Sequence, residues 1–327
     1  MMTRIFNGDG HPHDWELPPA PPWRQFGGGP VVVSPEEADW AARFPNDLER
    51  ARTYQAQGRE VELVNVAIML RRPLLITGRP GTGKSTLAYA LAHELKLFPV
   101  LRWPITTRTT LQDGLYRYDA IARLQDASLP VQADRGSIGR YLQLGPLGTA
   151  LLPYERPRVL LIDEIDKSDV DLPSDLLNVL EEGEFRIPEL VRIAETESEV
   201  EVGLEHESTQ VRIRGGIVRS RAFPIIVMTS NGERDFPPAF LRRCVRLEVT
   251  EPDSQRLEAI VRAHLGEQAL AASADLIAQF LQRRTSGELA TDQLLNAIFV
   301  TMHGDLTHAV SRQELADLLL QPLSVTS

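Results

Sequence analysis

The sequence predicts an α/β protein with a parallel central sheet, followed by a small all-α domain. Three observations support this prediction. A glycine-rich loop at residues 78–85 stands between a short apolar run and a helical pattern. The runs 159–162 and 225–228 are continuously apolar, which is typical of strands buried on both faces of a parallel sheet. From about residue 250 onward, the apolar residues show helical spacing alone.

The composition is typical of a globular protein without disulfide bonds. The chain has 327 residues, of which 43% are hydrophobic, so it can bury a substantial core and divide into two domains. Cys244 is its single cysteine, and no N-terminal stretch has the pattern of a secretory signal, so we expect a cytoplasmic protein. The apolar runs fall far short of the roughly 20 residues of a membrane helix, so no membrane insertion is expected. The net charge of -10 disfavours broad binding to nucleic acid.

Residues 1–50 are predicted to form an extension rich in proline, glycine and tryptophan. They hold eight of the 23 prolines and three of the four tryptophans, at positions 15, 23 and 40. Such a segment could dock its aromatic side chains on a neighbouring subunit or a partner, or could wrap over its own domain. A short helix is expected from Ser34 to about Arg43, because a capping serine precedes a proline and a glutamate there.

The elements around the glycine-rich loop follow from apolar spacing. The helix ahead of it is predicted by an apolar stripe formed by Leu63, Val66, Ala67 and Leu70. The run 73–77 predicts the first strand, and leucines at every fourth position over 87–95 predict the helix behind the loop. The order strand, loop, helix is the context in which such a loop binds phosphate.

Residues 78–85 read Gly-Arg-Pro-Gly-Thr-Gly-Lys-Ser, which is the complete G-x-x-x-x-G-K-S/T pattern of a phosphate-binding loop. Its glycines let backbone N–H groups turn toward a phosphate, and the following helix adds the positive end of its dipole. Lys84 is placed to reach the β and γ phosphates, and the Ser85 hydroxyl to ligate Mg²⁺. The sequence therefore predicts a site for a nucleoside triphosphate and Mg²⁺, formed by Gly78, Pro80, Gly81, Thr82, Gly83, Lys84, Ser85 and Thr86. A glycine-rich turn without a ligand is the alternative.

Two segments are predicted as insertions. After a second strand at 99–103, the glycines and proline of 128–150 indicate a loop-rich insertion. Within 184–221, the stretches 199–202 and 211–214 alternate with period two, which predicts a projecting hairpin with one acidic and one basic arm. Charge pairing across this hairpin and contact with a partner or substrate are both open interpretations.

The run 159–162 leads directly into Asp163 and Glu164, an apolar strand that ends in adjacent carboxylates. The strand holds Asp163 at the carboxyl edge of the sheet, where it can orient Mg²⁺, and leaves Glu164 to polarise an attacking water. Such a pair also occurs as a helix cap, but about 80 residues after a phosphate-binding loop it predicts a Walker B motif. An amphipathic helix follows over 172–180 and ends at Gly183.

The run 225–228 delivers Asn231 to the same edge of the sheet. Its amide could position the attacking water or the γ-phosphate. A turn-forming asparagine before Gly232 is the alternative. Beyond residue 250, four apolar stripes predict a helical domain without chemistry of its own.

With these motifs in place, the sequence resembles the AAA+ ATPases and, within them, the MoxR branch. The resemblance covers roughly residues 55–310. It depends on the phosphate-binding loop, the Asp163-Glu164 pair, Asn231 and residues 237–244, followed by a helical lid. It implies a P-loop NTPase αβα sandwich that binds ATP and Mg²⁺ in a homo-oligomeric ring, commonly a hexamer. An arginine of the adjacent subunit would complete each site; Arg243 fits that place best and Arg242 is the second choice.

The resemblance also implies a division into an N-terminal extension (1–50), a nucleotide-binding domain (51–249) and a helical lid (250–327). Where the family often carries a lid sensor arginine, this chain has Ala290-Thr291-Asp292-Gln293, so lid closure is expected to be weaker or to use another residue. The family implies ATP-driven remodelling of a client or adaptor protein, often one with a von Willebrand A-type domain. The alternatives are a nucleotide-gated scaffold with incidental turnover and a nucleic-acid-dependent motor, the latter requiring a basic pore lining.

Overall fold

The computed structural model describes residues 4–34, 43–127, 137–205, 207–284, 289–302 and 312–321. Most of the helix expected from Ser34 to Arg43 lies outside these residues, as do Trp40 and positions 128–136 of the first predicted insertion.

The strands of the described residues fall into a central sheet and two smaller ones. They are β1 (Leu74–Thr77), β2 (Leu101–Pro104), β3 (Tyr116–Tyr118), β4 (Leu142–Leu144), β5 (Val159–Asp163), β6 (Glu184–Arg186), β7 (Glu199–Leu204), β8 (Glu207–Arg214), β9 (Ile217–Arg219), β10 (Ile225–Ser230) and β11 (Val245–Glu248).

The α-helices lie before, between and after these strands. They are α1 (Pro45–Thr53), α2 (Gly58–Leu70), α3 (Thr86–Glu94), α4 (Leu111–Leu115), α5 (Ala120–Ala127), α6 (Pro146–Ala150), α7 (Leu172–Glu182), α8 (Pro188–Val191), α9 (Pro238–Leu241), α10 (Ser254–Ala272), α11 (Ala274–Arg284), α12 (Thr291–Met302) and α13 (Arg312–Leu319).

The central sheet has five parallel strands in the order β11-β1-β10-β5-β2. Every residue of β5 and β10 is buried, as the two continuous apolar runs predict. The carboxyl ends of the strands are in register, with Thr77 opposite Ser230 and Pro104 opposite Asp163. Side chains that follow these strands therefore meet at one edge of the sheet.

Helices cover both faces of this sheet. Because successive strand residues point to opposite faces, Leu160 and Ile162 of β5 pack in one core while Val159 and Leu161 pack in the other. Helix α7 covers the first face, and α2 and α3 cover the second. This helix–sheet–helix arrangement confirms the predicted α/β P-loop NTPase fold.

The face that α2 buries differs from the predicted stripe. Its buried apolar residues are Val61, Val64, Ala67 and Ile68, whereas Val66 is exposed. Apolar residues occur around much of this helix, so their spacing alone does not determine which face is buried. Packing against the sheet decides it.

In the described part of the first insertion, the glycines serve close packing and not loops, so the loop-rich prediction is wrong there. Residues 138–150 form a short 3₁₀ helix, β4 and α6. A Cβ at Gly139 would lie 1.8 Å from the Glu201 carbonyl oxygen, and one at Gly148 would lie 1.9 Å from that of Leu115. Backbones can approach this closely only where a side chain is missing.

The predicted hairpin is present, but it does not project. Strands β7 and β8 pair antiparallel, and β7 also pairs with β4 in a sheet of order β3-β4-β7-β8. The apolar side chains of the hairpin are buried in the first core. On its other face, Arg212 lies 2.9 Å from Glu201, and Arg214 lies 2.6 Å from Glu199. The structure therefore shows charge pairing across the hairpin, which was one of the two interpretations of its acidic and basic arms.

The N-terminal segment wraps over its own domain across residues 4–34. Phe6 is fully buried in the second core, and the Trp15 indole donates a hydrogen bond to the Leu95 carbonyl oxygen. The buried Arg24 guanidinium donates to the carbonyl oxygens of Arg71 and Leu180. Trp23 is 73% exposed, so this tryptophan lies on the surface of the described segment.

Helices α10 to α13 form the helical region that the sequence predicts after residue 250. Their apolar stripes converge on a core of their own that includes Leu257, Phe280, Leu294 and Ile298. Phe299 of α12 is exposed, although it is one of the helically spaced apolar residues beyond position 250. Among the described residues, no helix combines the length and apolar character that crossing a membrane requires.

Candidate nucleotide-binding site

The phosphate-binding loop connects β1 to α3 at the carboxyl edge of the sheet. Its backbone has φ of 73° at Gly81 and 80° at Gly83, values that residues with a side chain rarely adopt. A Cβ at Gly81 would also lie 2.3 Å from the Cβ of Ala290, the residue just ahead of α12. The loop shape and its contact with the helical region therefore both require glycine at position 81.

Lys84 is held across its own loop. Its ammonium donates hydrogen bonds to the carbonyl oxygens of Gly78 and Arg79, each at 2.8 Å, and the residue is 7% exposed. Burial lowers the pKa of Lys84, while the carboxylates of Asp166 and Glu164 act in the opposite direction. The lysine is thus positioned within the loop, where an anion could replace the carbonyl oxygens as its partner.

Asp163 is the most heavily hydrogen-bonded carboxylate of the site. Its Oδ1 accepts from the Ser85 hydroxyl at 2.6 Å and from the Thr229 hydroxyl at 2.8 Å. Its Oδ2 accepts from the Arg102 guanidinium at 3.1 Å. The structure thus brings together the two predicted Mg²⁺ ligands, Ser85 and Asp163, and adds Thr229 and Arg102, to which sequence reasoning gave no role.

Glu164 follows β5 with a left-handed backbone, at φ of 61°. Its backbone N–H donates to the Thr229 hydroxyl at 2.8 Å, which fixes the turn. Its carboxylate is 43% exposed, is paired with Lys167 at 2.8 Å and lies 3.4 Å from the side-chain amide of Asn231. The predicted water-activating carboxylate and the predicted positioning amide are therefore neighbours.

The loop that carries Asn231 is held by a buried carboxylate. Asp166 is 3% exposed, and its Oδ2 accepts hydrogen bonds from the backbone N–H groups of Asn231 and Glu233. Gly232 lies between them with φ of 81°, so Asn231 stands at a turn as well as next to Glu164. The turn and the site contact are both present at this position.

A cavity of about 260 Å³ lies between the phosphate-binding loop and the helical region. Tyr54, Ile260, His264 and Leu295 provide apolar and aromatic walls, and Asp292 adds a carboxylate. Partial burial lowers the pKa of His264. Sequence reasoning missed this cavity, because residues 260, 264 and 295 belong to stripes that read as helical core.

The side chains at the sheet edge fit a nucleotide with Mg²⁺. Mg²⁺ prefers oxygen ligands and is usually held by one or two carboxylates together with substrate phosphates and water. Ser85 and Asp163 supply such oxygens next to the loop, 2.6 Å from each other. The described residues contain no group of three or more histidine, cysteine or acidic side chains able to hold a metal alone, and this mode of binding needs none.

A family model described as "AAA domain (dynein-related subfamily)" matches residues 73–244. The chain belongs to this family. The matched range contains the phosphate-binding loop, Asp163, Glu164, Asn231 and both candidate arginines.

Comparisons beyond this AAA domain are more distant. No curated protein matches the chain. Among solved structures, NtrX from Brucella abortus in complex with ADP is similar with a TM-score of 0.41 and 16% sequence identity. The comparison covers 89% of this chain and 61% of the NtrX chain.

The two candidate arginines of the AAA domain lie just after α9, on a different part of the surface from Lys84 and Asp163. Arg243 is paired with Glu181 at 3.1 Å and also donates to the Ala239 carbonyl oxygen. Arg242 is exposed, and its side chain makes no ion pair within the described part of the chain. Of the two side chains, that of Arg242 is therefore the freer to reach another molecule.

Proposed function

We propose that this AAA domain is a MoxR-like ATPase that couples hydrolysis of Mg·ATP in a ring to the remodelling or activation of a protein partner. The observation that supports hydrolysis is the convergence of Lys84, Ser85, Asp163, Glu164 and Asn231 at one sheet edge. A site that only bound nucleotide would not need a carboxylate and an amide placed together beside the metal ligands.

Each side chain has one role in this proposal. Lys84 and the loop hold the β and γ phosphates, and Ser85 and Asp163 hold Mg²⁺, which would neutralise charge on the phosphate oxygens. Glu164 accepts a proton from water while the water oxygen bonds to the γ-phosphorus. The bond from that phosphorus to the β–γ bridging oxygen breaks, and ADP and inorganic phosphate leave. Asn231 orients the water.

The base and ribose would occupy the cavity between the loop and the helical region. Its walls of Tyr54, Ile260 and Leu295 suit a flat, apolar ring, and Asp292 suits a hydroxyl donor. Asp292 stands in the stretch where the resembling family often carries an arginine. We therefore propose that the helical region senses the nucleoside more than the γ-phosphate.

We further propose that each site is completed by an arginine of a neighbouring copy in a homo-oligomeric ring, commonly a hexamer. Arg242 and Arg243 are both candidates. The pairing of Arg243 with Glu181 means that this arginine must first leave a partner within its own chain. A guanidinium supplied in this way is worth about 10³ to 10⁵ in rate in other NTPases.

The proposed division of labour follows the three segments 1–50, 51–249 and 250–327. The extension, the nucleotide-binding domain and the helical lid would act on one client or adaptor protein, for which a protein with a von Willebrand A-type domain is the candidate. Trp23, exposed on the extension, supports contact with another protein.

The test of hydrolysis uses two variants with opposite outcomes. Lys84→Ala should lose Mg·ATP binding in calorimetry, because the cation at the phosphates is gone. Glu164→Gln should bind Mg·ATP with wild-type affinity and lose at least about a hundredfold in turnover. Wild-type turnover in Glu164→Gln, or unchanged affinity in Lys84→Ala, would contradict the assigned roles.

The shared site is tested by mixing inactive subunits. Arg242→Ala and Arg243→Ala are each mixed with Lys84→Ala, and ATP turnover is compared with that of each variant alone. Recovery in one mixture identifies the arginine that acts on a neighbour. No recovery in either mixture would contradict a site shared between copies.

A nucleotide-gated scaffold is the second candidate function, favoured by the absence of an arginine at residues 290–293. Turnover near zero with and without protein partners would select it. A nucleic-acid-dependent motor would instead show ATP turnover stimulated by DNA or RNA in a salt-sensitive manner.

A further inference from the structure

Arg102 forms an ion pair with one carboxylate oxygen of Asp163, the residue that the proposed function assigns to Mg²⁺. It lies on β2, the edge strand next to β5, in register with Leu161, two residues before Asp163. From there its Nη2 reaches Asp163 Oδ2 at 3.1 Å. The other oxygen already accepts from the hydroxyls of Ser85 and Thr229. Both oxygens of Asp163 are therefore engaged before any metal arrives.

The pair is unequal in its exposure. The Asp163 side chain is 12% exposed, whereas the Arg102 side chain is 49% exposed. Removing a cation from a nearly buried carboxylate is costly, because the charge then lacks a partner in a poorly solvated place. Moving the half-exposed guanidinium into solvent costs much less. The pair thus stabilises Asp163 without trapping Arg102.

Arg102 also has space to move into. It lines a cleft of about 470 Å³ together with Thr106, Arg108, Asp113 and Arg117. Because the cleft opens beside β2, Arg102 can leave Asp163 without repacking either core. A divalent cation at Asp163 would repel the guanidinium toward this cleft.

We propose that Arg102 is a positioning residue that holds Asp163 in the nucleotide-free protein and competes with Mg²⁺ for it. The proposal rests on the proposed function insofar as Asp163 is the Mg²⁺ ligand. Arg102 then sets the Mg²⁺ concentration at which ATP binds productively, because the metal must displace a cation of the protein. Neither the loop motif nor the acidic pair assigns this role to a residue of β2.

The first experiment measures the Mg²⁺ dependence of nucleotide binding without turnover. In a Glu164→Gln background, a fluorescent ATP analogue is held at fixed concentration while Mg²⁺ is titrated against R102Q, R102K and the parent. R117Q is the matched control, because Arg117 lines the same cleft and makes no ion pair with Asp163 in the described structure.

The expected result is a Mg²⁺ midpoint about tenfold lower in R102Q, since a unit charge close to the carboxylate is lost at a partly solvated site. R102K should lower the Mg²⁺ midpoint by less, because lysine keeps the positive charge but lacks the planar guanidinium group. R117Q should match the parent. A midpoint in R102Q that is unchanged or higher overturns the proposal, and a higher one would show that Arg102 contacts the phosphates instead.

The second experiment needs no nucleotide. Without ligand, R102Q should unfold at a lower temperature than R117Q, because Asp163 loses its cation, and saturating Mg·ATP should narrow or close this gap. Equal unfolding temperatures in the ligand-free proteins would overturn the proposal. If the parent protein bound no Mg·ATP at all, the proposed function would fail, while the ligand-free comparison would still decide whether Arg102 holds Asp163. Should R102Q not fold, R102K replaces it in both experiments, and a midpoint equal to the parent's would count against the proposal.

Discussion

Replacing Arg256 by glutamine should destabilise the protein far more than a typical loss of a surface ion pair. Arg256 lies in the first turn of α10 and pairs with Glu60 of α2 at 2.8 Å, across 196 residues of sequence. The two side chains are 9% and 3% exposed. The Arg256 guanidinium also donates to the Gln55 carbonyl oxygen. This pair joins the helical region to the layer that covers the central sheet.

The magnitude follows from what remains around Glu60 once the cation is removed. Breaking a buried ion pair by deleting one partner typically costs about 3 to 5 kcal/mol, because a buried charge loses its counter-ion. Glu60 keeps two hydrogen bonds, from the Tyr54 hydroxyl at 2.8 Å and from the Gln57 backbone N–H at 3.0 Å. We therefore expect a loss near the lower end, about 3 kcal/mol in the free energy of unfolding.

The assay is urea unfolding followed by circular dichroism, with Arg262→Gln as the matched control on the same helix. Arg262 pairs with Glu267, but both side chains are largely exposed, at 49% and 73%. Loss of such a surface pair should cost less than about 1 kcal/mol. The double variant Glu60→Gln with Arg256→Gln should be more stable than Arg256→Gln alone, because no buried charge is left. Equal stability of Arg256→Gln and Arg262→Gln would refute this reasoning.

Three further predictions concern the site and its surroundings. Gly81→Ala should weaken Mg·ATP binding in calorimetry by more than Gly83→Ala does. A Cβ at position 81 would lie 2.3 Å from the Ala290 Cβ, whereas one at position 83 would lie 3.8 Å from the Tyr54 ring. Equal losses of affinity would contradict this. Thr229→Val should keep nucleotide affinity but reduce turnover by about tenfold. The Thr229 hydroxyl accepts a hydrogen bond from the Glu164 backbone N–H and donates one to Asp163 Oδ1, and valine can form neither. Wild-type turnover would show that the hydroxyl is dispensable. Burial, aided by the charge of Arg52, lowers the pKa of His93 below its ordinary 6.5. As the pH drops, the unfolded chain therefore takes up the proton before the folded protein does. The free energy of unfolding should fall below about pH 6.5 for this reason. His93→Phe should flatten this dependence in unfolding curves measured between pH 7 and 5, and an unchanged slope would show that other groups cause it.

The fold and the motifs at the sheet edge could be predicted from the sequence because their signals are local. A strand buried on both faces must be apolar along its whole length, as β5 and β10 are. Parallel strands align their carboxyl ends, so residues that follow β1, β5 and β10 must meet at one edge. Lys84, Asp163 and Asn231 could therefore be placed together without coordinates.

Other features could not be predicted, because their signals resemble those of ordinary elements. The glycines at 139 and 148 read as loop residues, although close backbone approach requires them. The alternating arms of β7 and β8 predicted a hairpin, but not that its apolar face would join the core. The walls of the cavity beside the phosphate-binding loop, including His264, are indistinguishable by spacing from helical core residues.

The sequence by itself determined the strand–loop–helix order, the phosphate-binding loop and the acidic pair, since each depends on neighbours within a few residues. Only the tertiary structure decided that Arg102 reaches Asp163, that Glu60 meets Arg256 and that residues 4–34 wrap over their own domain. The physical reason is that these contacts join residues far apart in the chain. Whether such a pair forms depends on how the layers pack. The local conformational preferences of the two residues do not determine whether they meet in the fold.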